Sequence, residues 1–162
     1  MQPKVRELGK PMRQPYNIHV FLYHMNQPGI WEYAMFQRAD DPKIWQGIAG
    51  GVEDEESFEQ AAAREVLEEA GIVLGAPLHR LDTISFLPSH IFPEHIVWGN
   101  DVVVCPMVHF AVAYDGDITL SEEHLDVQWR TFDIAYNIMY WHDQKMALWE
   151  LNQRLLRGNL IR

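Results

Sequence analysis

The sequence predicts an α/β fold, in which a mixed β-sheet is covered by helices on both faces. Segments rich in β-branched and aromatic residues occur before, between and after two helical segments. Each helical segment has small or apolar side chains that need an opposing surface to pack against. Helices on both faces of a sheet meet that need. At 162 residues the chain has the length of one domain, which we predict to span residues 1–162.

Three strands are predicted before the first helix. Residues 16–24 (YNIHVFLYH) are rich in aromatic and β-branched side chains and predict the first strand. Residues 31–37 predict the second strand, and a turn at 26–29 would join the two as a hairpin. After a polar loop at 38–43, residues 44–49 predict a short strand that enters a pair of glycines.

Three more strands are predicted in the second half of the chain, at 81–87, 102–114 and 125–130. A long loop at 88–100 separates the first two. The segment 102–114 (VVVCPMVHFAVAY) has the strongest strand signal of the three. Its proline, Pro106, indicates a bulge or a sheet edge, because proline cannot donate a hydrogen bond to a neighbouring strand.

A C-terminal helix is predicted at 141–157, after a short helix or loop at 133–140. Gly158 follows it directly and would end it in the left-handed conformation. One stripe of the helix is apolar and would face the sheet. The residues of this stripe are Trp141, Leu148, Leu151 and Leu155.

The central helix has sequence signals at both ends. Ser57 and Gln60 form the pattern of a capping box, so the helix should begin there. Gly71 should end it one residue after Ala70. Because residues three and four apart share a helix face, three glutamates should project together. They are Glu65, Glu68 and Glu69.

This acidic face allows two interpretations. Three like charges on adjacent turns repel one another and give the helix no local stability. They form either a solvated surface, which is common for glutamate, or a site for a hard divalent cation such as Mg²⁺, which prefers oxygen ligands. The residues before the helix favour the cation site. Gly50 and Gly51 would lie in a loop whose backbone angles other residues avoid, and Arg64 could hold that loop by pairing with Glu56.

The stretch 50–72 (GGVEDEESFEQAAAREVLEEAGI) resembles the Nudix box, G-x5-E-x7-R-E-U-x-E-E-x-G-U, where U is aliphatic. All nine fixed positions are matched, so the pattern is far more specific than a lone glycine motif. The residues at these positions are Gly50, Glu56, Arg64, Glu65, Val66, Glu68, Glu69, Gly71 and Ile72.

The resemblance implies an α/β/α sandwich, with the box helix on one face of a mixed sheet. It also implies an enzyme that hydrolyses nucleoside diphosphates linked to another group, with Mg²⁺ or Mn²⁺. Glu65 and Glu69 would be metal ligands, and Glu68 a ligand or the catalytic base. Arg64 and Glu56 would be structural partners within the motif.

A longer run, QRADDPKIWQGIAGGVEDEES, resembles dihydroneopterin triphosphate and dATP pyrophosphohydrolases within this family. By that resemblance Arg38 and Arg13 would contact substrate. The stretch 121–124 (SEEH) resembles one that supplies a further metal carboxylate with a catalytic role. This implies Glu123, with Glu122 as its rival. Ala49 stands where that subgroup has a hydroxyl residue that touches the substrate. The prediction therefore names the reaction class and leaves the heterocyclic base of the substrate undetermined.

One aromatic side chain next to the glycines has two interpretations. Trp45 could stack on the base of a substrate, or it could belong to the core, which is the commoner position for tryptophan.

Composition excludes several classes of protein. A net charge of −10 argues against binding of nucleic-acid polymers, which requires a basic surface. One cysteine, Cys105, excludes an internal disulfide framework and is expected in the core. The sequence has neither an apolar run of membrane-spanning length nor a signal peptide, so a cytoplasmic protein without membrane contact is expected. A small nucleotide is the expected partner, and a homodimer is compatible with the sequence.

Two alternatives to a nucleoside triphosphate pyrophosphohydrolase stay open. The chain could be a Nudix enzyme for nucleotide sugars or dinucleoside polyphosphates. It could also be a Nudix-fold module that binds nucleotides without catalysis, although such a module would be expected to have gaps in its acidic trio, and this sequence has none.

Overall fold

A computed structural model describes residues 11–161. Over these residues the chain forms seven strands and four α-helices, with one 3₁₀ turn at Ser89–Ile91. The strands are β1 Arg13–Gln27, β2 Ile30–Arg38, β3 Trp45–Gln46, β4 Ile48–Glu53, β5 His79–Pro88, β6 Val104–Ala113 and β7 His124–Thr131. The helices are α1 Phe58–Ala70, α2 His95–Trp98, α3 Phe132–Ile138 and α4 His142–Arg157.

The seven strands form one mixed sheet organised around β1. Strand β6 runs parallel to β1, with Ile18 opposite Val108. On its other side β1 pairs antiparallel with β4 along its first half and with β2 along its second half. Strands β3 and β7 pair with β2, and β5 pairs with β6. This arrangement confirms the predicted mixed sheet.

Alternate residues of β1 face the two sides of the sheet. On one side Ile18, Val20 and Leu22 pack in a core cluster with Ala62 and Val66 of α1. On the other side a second cluster joins β1 to α3 and α4. Its fully buried members include Phe21, Ala135, Ala147, Leu148 and Leu151. The helices therefore cover both faces, as the sequence predicted for an α/β sandwich.

The predicted hairpin and the C-terminal helix are confirmed, while the strand bounds differ. The first strand is longer than 16–24 because β1 has partners along its whole length. Gly158 ends α4 in the left-handed conformation, with φ 67°. The segment predicted as a loop at 88–100 instead contains the 3₁₀ turn and α2.

The placement of Gly50 and Gly51 in a loop was wrong. Both lie within β4, and neither is among the positive-φ glycines of the described residues. Glycine is needed there for space. A Cβ on Gly50 would lie 2.2 Å from Cδ of Glu65, and one on Gly51 would lie 2.3 Å from Nε of Arg13. The glycines therefore let two charged side chains pack directly against the strand.

Pro106 and Cys105 lie where β6 begins. Pro106 pairs with Phe86 of β5, whereas the pairing of β6 with β1 begins one residue later, at Met107. The proline is thus at a local edge, which was one of the two predicted positions. Cys105 is fully buried, as expected. Within residues 11–161 the structure has no helix that is long and apolar enough to cross a membrane.

Candidate active site

Helix α1 brings two of the three predicted glutamates to the end of the sheet. The helix begins at Ser57, where both hydrogen bonds of the capping box form, and ends at Gly71 with φ 69°. Glu65 and Glu69 lie one turn apart and are buried, with 8% and 4% of their surfaces exposed. The side chain of Glu68 is 58% exposed. The helix therefore presents a buried pair of carboxylates, with the third directed toward solvent.

Arg64 joins the helix to the chain segments before it. Its Nε donates to Oε2 of Glu56 at 2.8 Å, and its Nη2 donates to Oε1 at 2.9 Å. Nη2 also donates to the carbonyl of Gly51 at 2.8 Å. Nη1 donates to Glu65 at 2.8 Å and more weakly to Glu68 at 3.3 Å. One guanidinium thus fixes one of the buried carboxylates relative to β4.

The buried carboxylates are electrostatically unfavourable when both are ionised. Burial raises the pKa of Glu69 well above its usual range, and the nearby carboxyls of Glu123 and Glu65 raise it further. Burial also raises the pKa of Glu65, although Arg64 opposes that change. Oε2 of Glu69 is buried and has no hydrogen-bond partner among the described residues. A cation at this point would offset both the burial and the repulsion.

A third carboxylate reaches this pair from the loop before β7. The carbonyl of Glu123 accepts a hydrogen bond from the backbone N–H of Ala39 at 2.9 Å, which fixes the loop beside the end of β2. The Glu123 carboxyl lies close to Glu69 and is one of the groups that raise the pKa of the Glu69 carboxyl. Glu122 also faces the same cavity.

The donor set suits a hard divalent cation that is completed by substrate. The oxygens of Glu65, Glu69 and Glu123 are the type of ligand that Mg²⁺ prefers. No three His, Cys, Asp or Glu side chains within residues 11–161 form a group already arranged to hold a metal ion. Mg²⁺ is usually held by one or two carboxylates together with water and substrate phosphates. An open, partly formed acidic site fits that mode of binding.

The carboxylates border a cavity of about 730 Å³ that is also lined by two arginines, Arg13 and Arg38. The guanidinium of Arg13 lies 4.5 Å from the ring centre of Phe92 and donates to Oδ1 of Asn17 at 2.6 Å. Burial lowers the pKa of Arg13 below the usual range for an arginine. Arg38 donates through Nε to Asp40 at 2.8 Å. Positive and negative groups thus line the same cavity.

The structure does not bring Trp45 to this cavity. Trp45 and Gln46 are neighbours on β3, so their side chains point to opposite faces. Gln46 lines the cavity, while Trp45 packs against the core cluster beneath α3 and α4. Another tryptophan, Trp141, lines the cavity instead. The sequence predicts Trp141 only as part of the packing stripe of the C-terminal helix.

Two buried amide side chains also line the cavity and were not predicted from the sequence. Asn17 lies near the start of β1, and Gln144 lies in the first turn of α4. A polar residue within an apolar strand segment was the available signal for Asn17. Gln144 gave no signal, because glutamine is common on helix surfaces.

Comparisons with known proteins agree on one family. The NUDIX domain model matches residues 15–149. The chain is 41% identical over 128 residues to dihydroneopterin triphosphate diphosphatase of Escherichia coli (strain K12), covering 74% of this chain and 80% of that protein. It is 30% identical over 124 residues to the asymmetrical bis(5′-nucleosyl)-tetraphosphatase of Sus scrofa, covering 76% and 80%.

Comparison with solved structures indicates the same family. The solved structure of the E. coli dihydroneopterin triphosphate pyrophosphohydrolase superposes with a TM-score of 0.71 at 27% sequence identity, covering 88% of this chain and 99% of that one. With the family model matching most of its length, the chain belongs to the Nudix family.

Proposed function

We propose that this protein is a pyrophosphohydrolase that uses Mg²⁺ to cleave a phosphoanhydride bond of a nucleoside triphosphate or a related nucleoside diphosphate derivative. Nudix proteins generally act with divalent cations on small nucleotide compounds. The observation that supports the proposal most strongly is the buried pair Glu65 and Glu69, which lines one cavity together with two arginines. Two carboxylates and two guanidiniums are the groups required to hold a metal–polyphosphate complex.

The proposed roles follow from where each side chain lies. Glu65, Glu69 and Glu123 would hold the cation, which supplies charge neutralisation at the phosphoryl oxygens and lowers the pKa of a bound water. Arg13 and Arg38 would bind the phosphates. Arginine suits this role because its planar donors match phosphate oxygens.

The bond changes require one proton acceptor. A bond forms between the water oxygen and phosphorus as the bridging P–O bond breaks, and the proton of the water passes to a carboxylate. We propose Glu123 for this step because it lies in the cavity beside Glu69. Glu68 is directed to solvent and is hydrogen-bonded to Arg64, so in this proposal it supports the cluster without contacting the cation.

A substrate panel tests this proposal. Nucleoside triphosphates, nucleotide sugars and a diadenosine polyphosphate would be incubated with Mg²⁺ or with EDTA, and phosphate and pyrophosphate would be measured with the nucleotide products. We expect Mg²⁺-dependent turnover of at least one nucleoside triphosphate. Turnover only of nucleotide sugars or dinucleoside polyphosphates would change the substrate class. Binding of nucleotides without turnover would contradict the proposal.

A dinucleoside polyphosphate is the second candidate substrate. It is favoured by the 30% identity to a bis(5′-nucleosyl)-tetraphosphatase over 76% of this chain. The same panel separates the two, because cleavage of a dinucleoside polyphosphate releases two nucleotides while cleavage of a nucleoside triphosphate releases one nucleotide with phosphate or pyrophosphate.

A further inference from the structure

Two buried amide side chains in the cavity have polar atoms without partners. Asn17 is 2% exposed and Gln144 is 1% exposed. Both line the same cavity as the carboxylates. Within residues 11–161, Nδ2 of Asn17 and Oε1 of Gln144 have no hydrogen-bond partner. Such atoms are costly to bury, and each one requires an explanation.

The orientation of the Asn17 amide is fixed by its neighbour. Its Oδ1 accepts a hydrogen bond from Nη2 of Arg13 at 2.6 Å. A guanidinium can only donate, so the oxygen of the amide must face Arg13. The free atom of Asn17 is therefore its Nδ2 group, a donor.

Gln144 presents the complementary atom from the opposite wall. Its Nε2 contacts the sulfur of Met107 at 3.4 Å, which leaves Oε1 as an unpaired acceptor. Met107 is the direct partner of Asn17 across β1 and β6. Because paired residues of neighbouring strands point to the same face, the Met107 side chain lies beside Asn17 and also contacts Gln144.

The surroundings of the two amides suit a flat ring. Apolar and aromatic side chains complete this part of the cavity and would cover the faces of a planar ligand. They are Leu87, Ile91, Phe92, Met107 and Trp141. Arg13 links this region to the charged part of the cavity, because it contacts both Asn17 and Phe92.

We propose that Asn17 and Gln144 bind the edge of the heterocyclic base of the substrate. Asn17 Nδ2 donates to a ring nitrogen or carbonyl acceptor, and Gln144 Oε1 accepts from a neighbouring N–H. The ligand class is a planar heterocycle whose edge carries both a donor and an acceptor. This inference rests on the proposed function, since it assigns the base subsite of the same cavity.

The test compares substrates that differ only at that edge. Purine riboside 5′-triphosphate has the ring of ATP and GTP but lacks their exocyclic groups. For Gln144→Met we expect kcat/KM to fall by about 10-fold or more with the better of ATP and GTP, the scale for losing a buried hydrogen bond. With purine riboside 5′-triphosphate the change should stay within about threefold. Asn17→Asp keeps the oxygen facing Arg13 and replaces the donor. It should lower kcat/KM by about 10-fold or more with the better of ATP and GTP, and also with purine riboside 5′-triphosphate if the acceptor is a ring nitrogen, which that analogue retains.

Gln153→Met is the matched control, because it makes the same substitution on α4 outside the cavity lining. It should leave both substrates unchanged. Melting temperatures would show that the variants are folded. Equal losses of Gln144→Met on both substrates would mean that Gln144 supports the phosphate site or the fold, and no loss on either substrate in either variant would mean that the amides do not contact the base. Either result overturns the inference.

Binding separates this inference from the proposed function. Calorimetry with the α,β-methylene analogues of ATP and GTP needs no turnover. Binding to wild type that weakens in Gln144→Met, together with absent hydrolysis of the natural nucleotides, would support the base subsite and contradict the hydrolase. Hydrolysis with identical binding in wild type and both variants would contradict only the base subsite. Neither binding nor hydrolysis in wild type would contradict both.

Discussion

Arg64 holds Glu56 through two parallel hydrogen bonds, from Nε to Oε2 at 2.8 Å and from Nη2 to Oε1 at 2.9 Å. The hydrogen bonds from Arg64 hold the pKa of Glu56 below its usual range. Glu56 Oε1 also accepts a hydrogen bond from the backbone N–H of Glu53 at 2.8 Å. The pair therefore joins helix α1 to the end of β4. Gly50 and Gly51 of the same strand contact charged side chains of the site.

Glu56→Gln should reduce the stability of the fold. The substitution keeps the shape of the side chain but removes the charge that receives both arginine hydrogen bonds. We expect the free energy of unfolding to fall by about 1–3 kcal/mol, the range for hydrogen bonds that involve a charged group. Urea denaturation measures it. Glu59→Gln, at an exposed position of the same helix, should change stability by less than about 0.5 kcal/mol. Equal effects of the two would contradict a bracing role for Glu56.

Mg²⁺ should raise the melting temperature. A cation that binds only the folded carboxylate cluster stabilises the protein by mass action, by about 2.7 kcal/mol at a concentration 100 times its Kd. Differential scanning fluorimetry in millimolar Mg²⁺, with NaCl at matched ionic strength as the control, measures the shift. Glu69→Gln should abolish most of it. A melting curve that Mg²⁺ leaves unchanged, with and without a non-hydrolysable nucleotide, would argue against the site.

The metal-free protein should lose stability as the pH rises. The pKa values of Glu65 and Glu69 are raised in the folded state above their ordinary value of 4.5. The folded state therefore binds these protons more tightly than the unfolded state, so the stabilising contribution is complete below the ordinary value and is lost as the pH rises toward the raised values.

Other groups also titrate, so a variant is needed to isolate the contribution of the buried carboxylates to stability. Burial lowers the pKa values of His19 and His109, which gives a slope of the opposite sign below their ordinary value of 6.5. In EDTA, the stability of wild type relative to Glu69→Gln should fall by about 1 kcal/mol or more between about pH 5 and about pH 8. A difference that is constant or rises over this range would contradict the raised pKa values.

Sequence patterns predicted most of the fold because the signals for it are local. The aromatic and β-branched residues of β1 and the capping box at Ser57 are signals from neighbouring residues, and both the strand and the capping box appear in the structure. Helix geometry predicted that Glu65, Glu68 and Glu69 project together, but not that Glu65 and Glu69 are buried. What helix geometry could not supply was the different exposure of Glu68, which depends on where the helix meets the sheet.

The features that sequence patterns missed depend on contacts between distant segments. Gly50 and Gly51 suggested an unusual backbone, but their small size is needed because Glu65 and Arg13 pack against them. Trp45 is the sequence neighbour of Gln46, which lines the cavity. Because successive side chains of a strand point to opposite faces, Trp45 points toward the core instead. Asn17 and Gln144 are far apart in the chain, and the fold brings both beside Met107.

Glu122 and Glu123 should differ in their contribution to catalysis. Glu123 lies against Glu69, while adjacent residues of a loop commonly point in different directions. We expect Glu123→Gln to lower kcat by about 100-fold or more, the scale for loss of a general base, and Glu122→Gln to stay within a few-fold of wild type. Steady-state kinetics with Mg²⁺ would measure both. Small and equal losses would remove Glu123 from the mechanism, and a large loss only at Glu122 would transfer the role to its neighbour.

The most direct test of the acidic site is the Mg²⁺ dependence of turnover in wild type and in Glu69→Gln, using the best nucleotide of the panel. Wild type should be inactive in EDTA and activated by Mg²⁺. Glu69→Gln should remain folded by its melting temperature but lose at least about 100-fold in kcat at saturating Mg²⁺, because the buried carboxylate would no longer hold the cation that activates the water. Glu59→Gln should behave as wild type. Full activity in folded Glu69→Gln, or turnover by wild type in EDTA, would contradict the account.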